Sequence, residues 1–211
     1  MRTLVIKNKF LITILCLFSL LFMPIQAVAK QHQEYNSVLK KDCSNETKSS
    51  LQLNCKAYHQ TTNYTCGPAA VMTLMRYYGR LSPAEMNAKT ELRLALEMGA
   101  SEQGTDQSQI VSWLSSHGFS VDSGRRMESD TIIQNLKRGT PTLLGVNHHW
   151  ILAKGFEKGA TADEDQILFA DSCCNTTIMS RANIDAMWQE SMLSGNRCTG
   201  NVGEYIVATP N

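Results

Sequence analysis

The chain has no lysine- or arginine-rich run, no low-complexity block and no internal repeat, and it carries only five histidines in 211 residues. Without a basic run or stripe, and with a formal charge of +1, it lacks the electrostatic footprint of a nucleic-acid or anionic-membrane binder. Without a repeat, a solenoid or array is excluded. The most apolar run, Phe10 to Met23, falls short of the roughly 20 residues that a spanning helix needs. The scarcity of histidine leaves few candidates for any general base.

The apolar run sits between a basic start (Arg2, Lys7, Lys9) and the small-x-small sequence Ala27-Val28-Ala29, with Pro24 breaking it. This is the pattern of a cleaved signal peptide over 1–29, and a retained anchor is the alternative. Cys16 lacks the small residues before it that a lipid-attachment site would want. Cleavage would remove three basic residues and no acids, leaving 182 residues with a formal charge of −2. The expected location is therefore exported, periplasmic or secreted. Residues 30–57 are polar and read as a lead-in, and 58–211 as one domain able to bury a core.

Six cysteines follow the signal segment: Cys43, Cys55, Cys66, Cys173, Cys174 and Cys198. In an oxidising compartment thiols tend to pair. Cys43 with Cys55 closes a short loop, and Cys198 could take Cys173 or Cys174. Parity alone favours three disulfides, with Cys66 as half of one.

From Gly67 the chain reads as a helix, with Val71, Leu74, Met75 and Tyr78 on one apolar face, Pro68 in the first turn and Gly79 as the stop. Cys66 thus stands at a helix N-terminus, where unpaired N–H groups and the helix dipole favour a thiolate. Further helices are expected from Ser82 to Met98, from Asp106 to Gly118 and from Ser129 to Gly139, with one more over Asn183–Leu193. Strands are expected at 119–121, 141–146, 150–156, 166–170 and 204–208. Helices precede an antiparallel sheet, the pattern of an α+β domain.

A cysteine nucleophile needs a base and an orienting carboxylate. His149 opens one strand of a hairpin and Asp171 closes the other. A turn centred near residue 161 puts Asp171 opposite residue 150 or 151, within reach of His149. Gln60, six residues before Cys66, offers amide donors for an oxyanion. A metal site built from the doublets His148-His149 and Cys173-Cys174 is disfavoured, because adjacent strand side chains point to opposite faces. Asp163-Glu164-Asp165 lacks the glycine and spacing of a calcium loop. Neither a metal nor a cofactor is expected.

These residues resemble the papain-like peptidases of the bacteriocin-processing (double-glycine leader) family. The likeness is carried by Gln60 with Cys66-Gly67 and a helix ending Tyr77-Tyr78-Gly79, by Gly104-Thr105-Asp106 leading to Gly118-Phe119, by Gly139-Thr-Pro141, and by His149-Trp-Ile-Leu followed by Asp171. It implies a papain-like α+β fold, with an N-terminal helical part carrying the nucleophile and an antiparallel sheet carrying His and Asp. It further implies Cys66 as nucleophile, His149 as general base and acid, Asp171 as its orienter and Gln60 as oxyanion donor. A peptide or protein substrate follows. The signal segment and the Cys173-Cys174 doublet depart from the family pattern. Alternatives are a phytochelatin-synthase-like acyltransferase, or a disulfide-bonded binding module without catalysis.

Overall fold

The computed structural model describes residues 51–193 and 201–211. The expected signal segment over 1–29, most of the lead-in, Cys43 and Cys198 lie outside them. A seven-stranded antiparallel sheet runs through the molecule, with strand order β2-β7-β3-β4-β5-β6 and β1 paired to β4. The strands are β1 (Leu51–Gln52), β2 (Phe119–Arg125), β3 (Thr142–Val146), β4 (His149–Glu157), β5 (Gln166–Asp171), β6 (Asn175–Ser180) and β7 (Glu204–Pro210). Three helices, α1 (Cys66–Tyr77), α2 (Ala88–Met98) and α3 (Gln107–Ser116), share one core with Trp150, Leu152 and Ala170. Two more, α4 (Ser129–Lys137) and α5 (Arg181–Leu193), supply Ile132, Ile133, Leu136, Ile184 and Trp188 to a second core with Ile151, Ala153 and Phe169. Alternate residues of β4 and β5 thus enter different cores, as the two-residue period of a strand requires. A strand covered on both sides is apolar throughout, and residues 150–156 of β4 are all buried.

The helices follow their local signals. In α1, Val71 and Leu74 are fully buried, each contributing about 1.5–3 kcal/mol relative to exposure. Gly79, just past its end, takes the left-handed φ of +70° that terminates a helix. The helix expected from Ser82 divides into a short 3-10 turn, Pro83–Glu85, and α2, where the Asn87 side chain accepts from Thr90 N at 3.1 Å. Asp106 and Gln109 form a capping box at α3.

Residues of the lead-in join the sheet and the core. Leu51 pairs with Phe156 in the sheet, Leu53 N donates to Lys154 O at 2.7 Å, and Cys55 is buried in the core with α1. The polar run upstream hides this because only a few apolar residues, Leu51, Leu53 and Cys55, do the anchoring. Strands β2 and β7 are longer than expected, since each pairs with the other from Phe119↔Pro210 to Arg125↔Glu204. Strand β6 carries no apolar alternation strong enough to read in advance, yet it pairs with β5 along its whole length.

Candidate active site

The β3–β4 turn brings the base into place. Val146 pairs with His149, leaving Asn147 and His148 as a two-residue loop with φ of 43° and 62°. Positive φ at both positions matches the twist of a hairpin but strains residues that are not glycine. The turn aims the His148 carbonyl at the nucleophile's helix, and Cys66 Sγ lies 3.9 Å from that oxygen. His149 is therefore the first residue of β4, the place expected of a residue that opens the strand.

The neighbouring hairpin supplies the carboxylate. Leu152 pairs with Ala170, and the same register carried outward sets Asp171 opposite Ile151, one diagonal step from His149. His149 Nε2 and Asp171 Oδ1 are 2.8 Å apart, with both side chains largely buried. Asp171 Oδ1 also accepts from Cys173 N at 2.8 Å, and Oδ2 accepts from the Thr177 hydroxyl at 2.6 Å. Burial alone would raise the Asp171 carboxyl, but His149, Thr177 and the Cys173 N–H together hold it below the usual carboxylate range. Burial likewise works to lower His149. Hydrogen bonding and charge from Asp171 and from Cys66 overcome it, and the imidazole is raised well above its ordinary 6.5. Asp171 thus holds the ring by a hydrogen bond, and Cys66 stands near enough to favour the charged imidazole.

Cys66 opens α1 and is 5% exposed. The segment leading into it is held by Glu91, a fully buried residue of α2 that sequence reasoning passed over. Its carboxylate accepts from Thr61 N at 2.9 Å, from the hydroxyls of Thr61 (2.7 Å) and Tyr58 (3.1 Å), and from the Thr65 hydroxyl. A lone glutamate on a helical pattern gives no signal of this, because its partners arrive from a loop some 30 residues upstream. Behind Cys66, a Cβ on Gly67 would stand 3.0 Å from Thr105 Cβ, so glycine is what lets the 104–106 loop pack on the helix start. Trp150 Nε1 donates to Thr105 O at 2.9 Å and ties that loop to β4.

Gln60 is joined to the carboxylate side of the site. Its backbone N donates to Ser172 O at 3.2 Å, and its Oε1 accepts from the Ser172 hydroxyl at 2.6 Å and from the Cys173 thiol at 3.5 Å. Its Nε2 donates to Thr62 O at 2.6 Å, leaving the second amide hydrogen uncommitted. A further support comes from the chain's end. Asn201 Nδ2 donates to His149 O at 3.0 Å, in a close approach possible only because Gly145 has no Cβ. A polar cavity of about 220 Å³ adjoins Cys66, lined among others by Thr105, Asp106, Arg125, His148 and Asn201.

Cys55, Cys66 and Cys173 are thiols. The pairing expected for Cys55 involves Cys43, and that for the doublet involves Cys198, both outside the described residues. Burial pushes the Cys55 thiol up to about 12, the behaviour of an inert core thiol. Cys66, which parity assigned to a disulfide, is a thiol whose Sγ lies 3.9 Å from the His148 carbonyl oxygen.

The fold has known counterparts. A double-glycine motif protease from an AMS/PCAT transporter, solved with its leader peptide, superimposes with a TM-score of 0.53 at 16% identity, covering 77% of this chain and 96% of its own. The peptidase domain of Streptococcus ComA, a bifunctional ABC transporter, gives 0.51 at 19% identity, covering 75% and 100%. A putative C39-like peptidase from Bacillus anthracis gives 0.56 at 10% identity, covering 78% and 99%. At these identities the likeness shows the papain-like α+β fold. A comparison with curated protein sequences yields no match. The Peptidase_C39 like family, however, matches residues 52–192, well over half of the chain and including the helix, both hairpins and the strand missed from sequence. The chain belongs to that family and is a cysteine-type peptidase.

Proposed function

We propose that the protein is an exported peptidase that hydrolyses peptide bonds through Cys66, His149 and Asp171, with Gln60 as oxyanion donor. The observation that carries the assignment is the 2.8 Å contact between His149 Nε2 and Asp171 Oδ1 beside Cys66, whose Sγ lies 3.9 Å from the carbonyl oxygen of the adjoining His148. With Nε2–H donated to Asp171, the other ring nitrogen takes the Cys66 proton to give a thiolate–imidazolium pair, the charged ring that the raised His149 favours. The thiolate attacks the peptide carbonyl. The uncommitted hydrogen of Gln60 Nε2 and the Cys66 backbone N–H, unpaired at the start of α1, receive the developing oxyanion. His149 then protonates the leaving amine, and water releases the thioester.

Peptide substrates fit this reading, since the relative from the AMS/PCAT transporter was solved with a leader peptide bound. The apolar segment before Ala27-Val28-Ala29 supports export, and a mature N-terminus at Lys30 in the exported fraction is the expected result. For the chemistry, the decisive test is Cys66→Ala assayed on peptides from that fraction. Turnover should vanish while circular dichroism shows the variant still folded, and mass spectrometry of the wild type should trap an acyl group on Cys66. Undiminished turnover in Cys66→Ala would overturn the assignment.

A further inference from the structure

The turn after Asp171 carries a thiol that the hydrolytic mechanism does not use. Cys173 is exposed, two residues from Asp171, and its Sγ lies with the ring nitrogen of His149 and a carboxylate oxygen of Asp171 within 4.8 Å of one another. Strand alternation does not govern the doublets His148-His149 and Cys173-Cys174, because His148 lies in the β3–β4 loop and both cysteines lie in the turn between β5 and β6. The tight turn at 172–174 instead brings one member of each doublet to the same carboxylate, through Cys173 N–H on Asp171 Oδ1.

We propose that His149, Asp171 and Cys173 form an inhibitory site for a borderline-soft divalent ion, zinc above all. Sulfur and imidazole ligands select zinc over magnesium or calcium, which take oxygen. One carboxylate and one thiolate balance the ion's two charges, so a partly buried site is left neutral. On a tetrahedral zinc, with bonds of about 2.0–2.3 Å, neighbouring ligand atoms lie roughly 3.3–3.6 Å apart. His149 Nε2 and Asp171 Oδ1 need to part only slightly from 2.8 Å. The Cys173 side chain, exposed and on a turn, closes the remaining gap by rotating about its Cα–Cβ bond. Asp171 Oδ2 stays on Thr177 and keeps the carboxylate oriented.

The ion takes the place of the proton between His149 and Asp171. Starting from the imidazolium and the thiol, two protons pass to solvent, from Nε2 and from Cys173 Sγ, and no electrons move. The remaining ring proton sits on Nδ1, so the imidazole can no longer accept the Cys66 proton. The enzyme is off while the metal stays.

The inhibitory part rests on the peptidase reading, whereas binding can be measured without turnover. Cobalt(II) serves as the spectroscopic probe with the Cys66→Ala protein. One equivalent should give a near-ultraviolet thiolate-to-cobalt band, lost when Cys173→Ser is added, with affinity falling at least tenfold. A band that survives in the double variant would overturn the site, since another thiol would then be the ligand. With the active protein, Cys173→Ser should raise the zinc concentration for half-inhibition at least tenfold, each variant being measured against its own metal-free turnover. Equal zinc sensitivity in Cys173→Ser and wild type would also overturn it, assigning zinc to Cys66 and His149 alone. Absence of any turnover would count against the peptidase reading and leave the cobalt result standing.

Discussion

The two halves of the site are held by different means. The nucleophile rides on a helix whose start is fixed by one buried carboxylate, Glu91, reaching back to Tyr58, Thr61 and Thr65. The base and its carboxylate ride on strand ends, fixed by backbone pairing and by a strained two-residue turn. A single side chain can fail all at once, while a ladder distributes the constraint over many bonds. The nucleophile side should therefore be sensitive in stability to one substitution, and the base side sensitive in chemistry.

Four substitutions or titrations sharpen that contrast. Asp171→Asn preserves the shape but leaves the imidazole without its anionic partner, so kcat should fall on the order of 10⁴-fold in a peptide assay. Gln60→Ala should lower kcat by about 10²–10³, the usual cost of one oxyanion donor, with KM little changed. If its loss appears mainly as lower stability, then the contacts to Ser172 and Thr62 are its real role. Glu91→Ala leaves buried donors of the Tyr58–Thr65 segment unpaired and should cost roughly 3 kcal/mol in urea unfolding. An effect below about 1 kcal/mol would put the nucleophile segment on the same distributed footing as the hairpins.

The smallest effect is the pH dependence of stability. His149 is raised by folding, so its contribution is complete below its unfolded value near 6.5 and is lost as pH climbs through the raised value. Asp171 is lowered, so its contribution is complete above 3.8 and disappears as pH falls through the depressed value. Urea midpoints should be highest between these two limits and decline on the alkaline side. Because Cys66 supplies part of the His149 shift, Cys66→Ala should make that alkaline decline smaller and complete at lower pH, with its onset near the unfolded value unchanged. A midpoint that is flat from neutral to alkaline pH would mean the imidazole gains nothing from its partners.

Much of the helical half was legible because its signals are local. Pro68, Gly79, Asp106 and Gly118 punctuate the helices within a turn of where they act. The triad could be anticipated because hairpin arithmetic places Asp171 near residue 151, and the structure does put it there, with one bulge at Lys154 absorbing an extra residue farther along. Other elements left no such trace. Residues 51–55 join the sheet and core from within a polar stretch, β6 lacks clear alternation, and Thr177 matters only because β6 lies beside Asp171.

By itself, the sequence determined the α+β class, the helix behind Cys66 and the order of Gln60, Cys66, His149 and Asp171. Those follow from periodicity and capping, which depend on residues a few positions apart. Only the tertiary structure decided which atoms meet. It set Gln60 on Ser172, Glu91 under the nucleophile segment, Asn201 on the backbone of His149, and Cys173 beside the base. Each of these joins segments tens of residues apart, and a side chain's pattern along the chain carries no record of a partner that packing alone supplies.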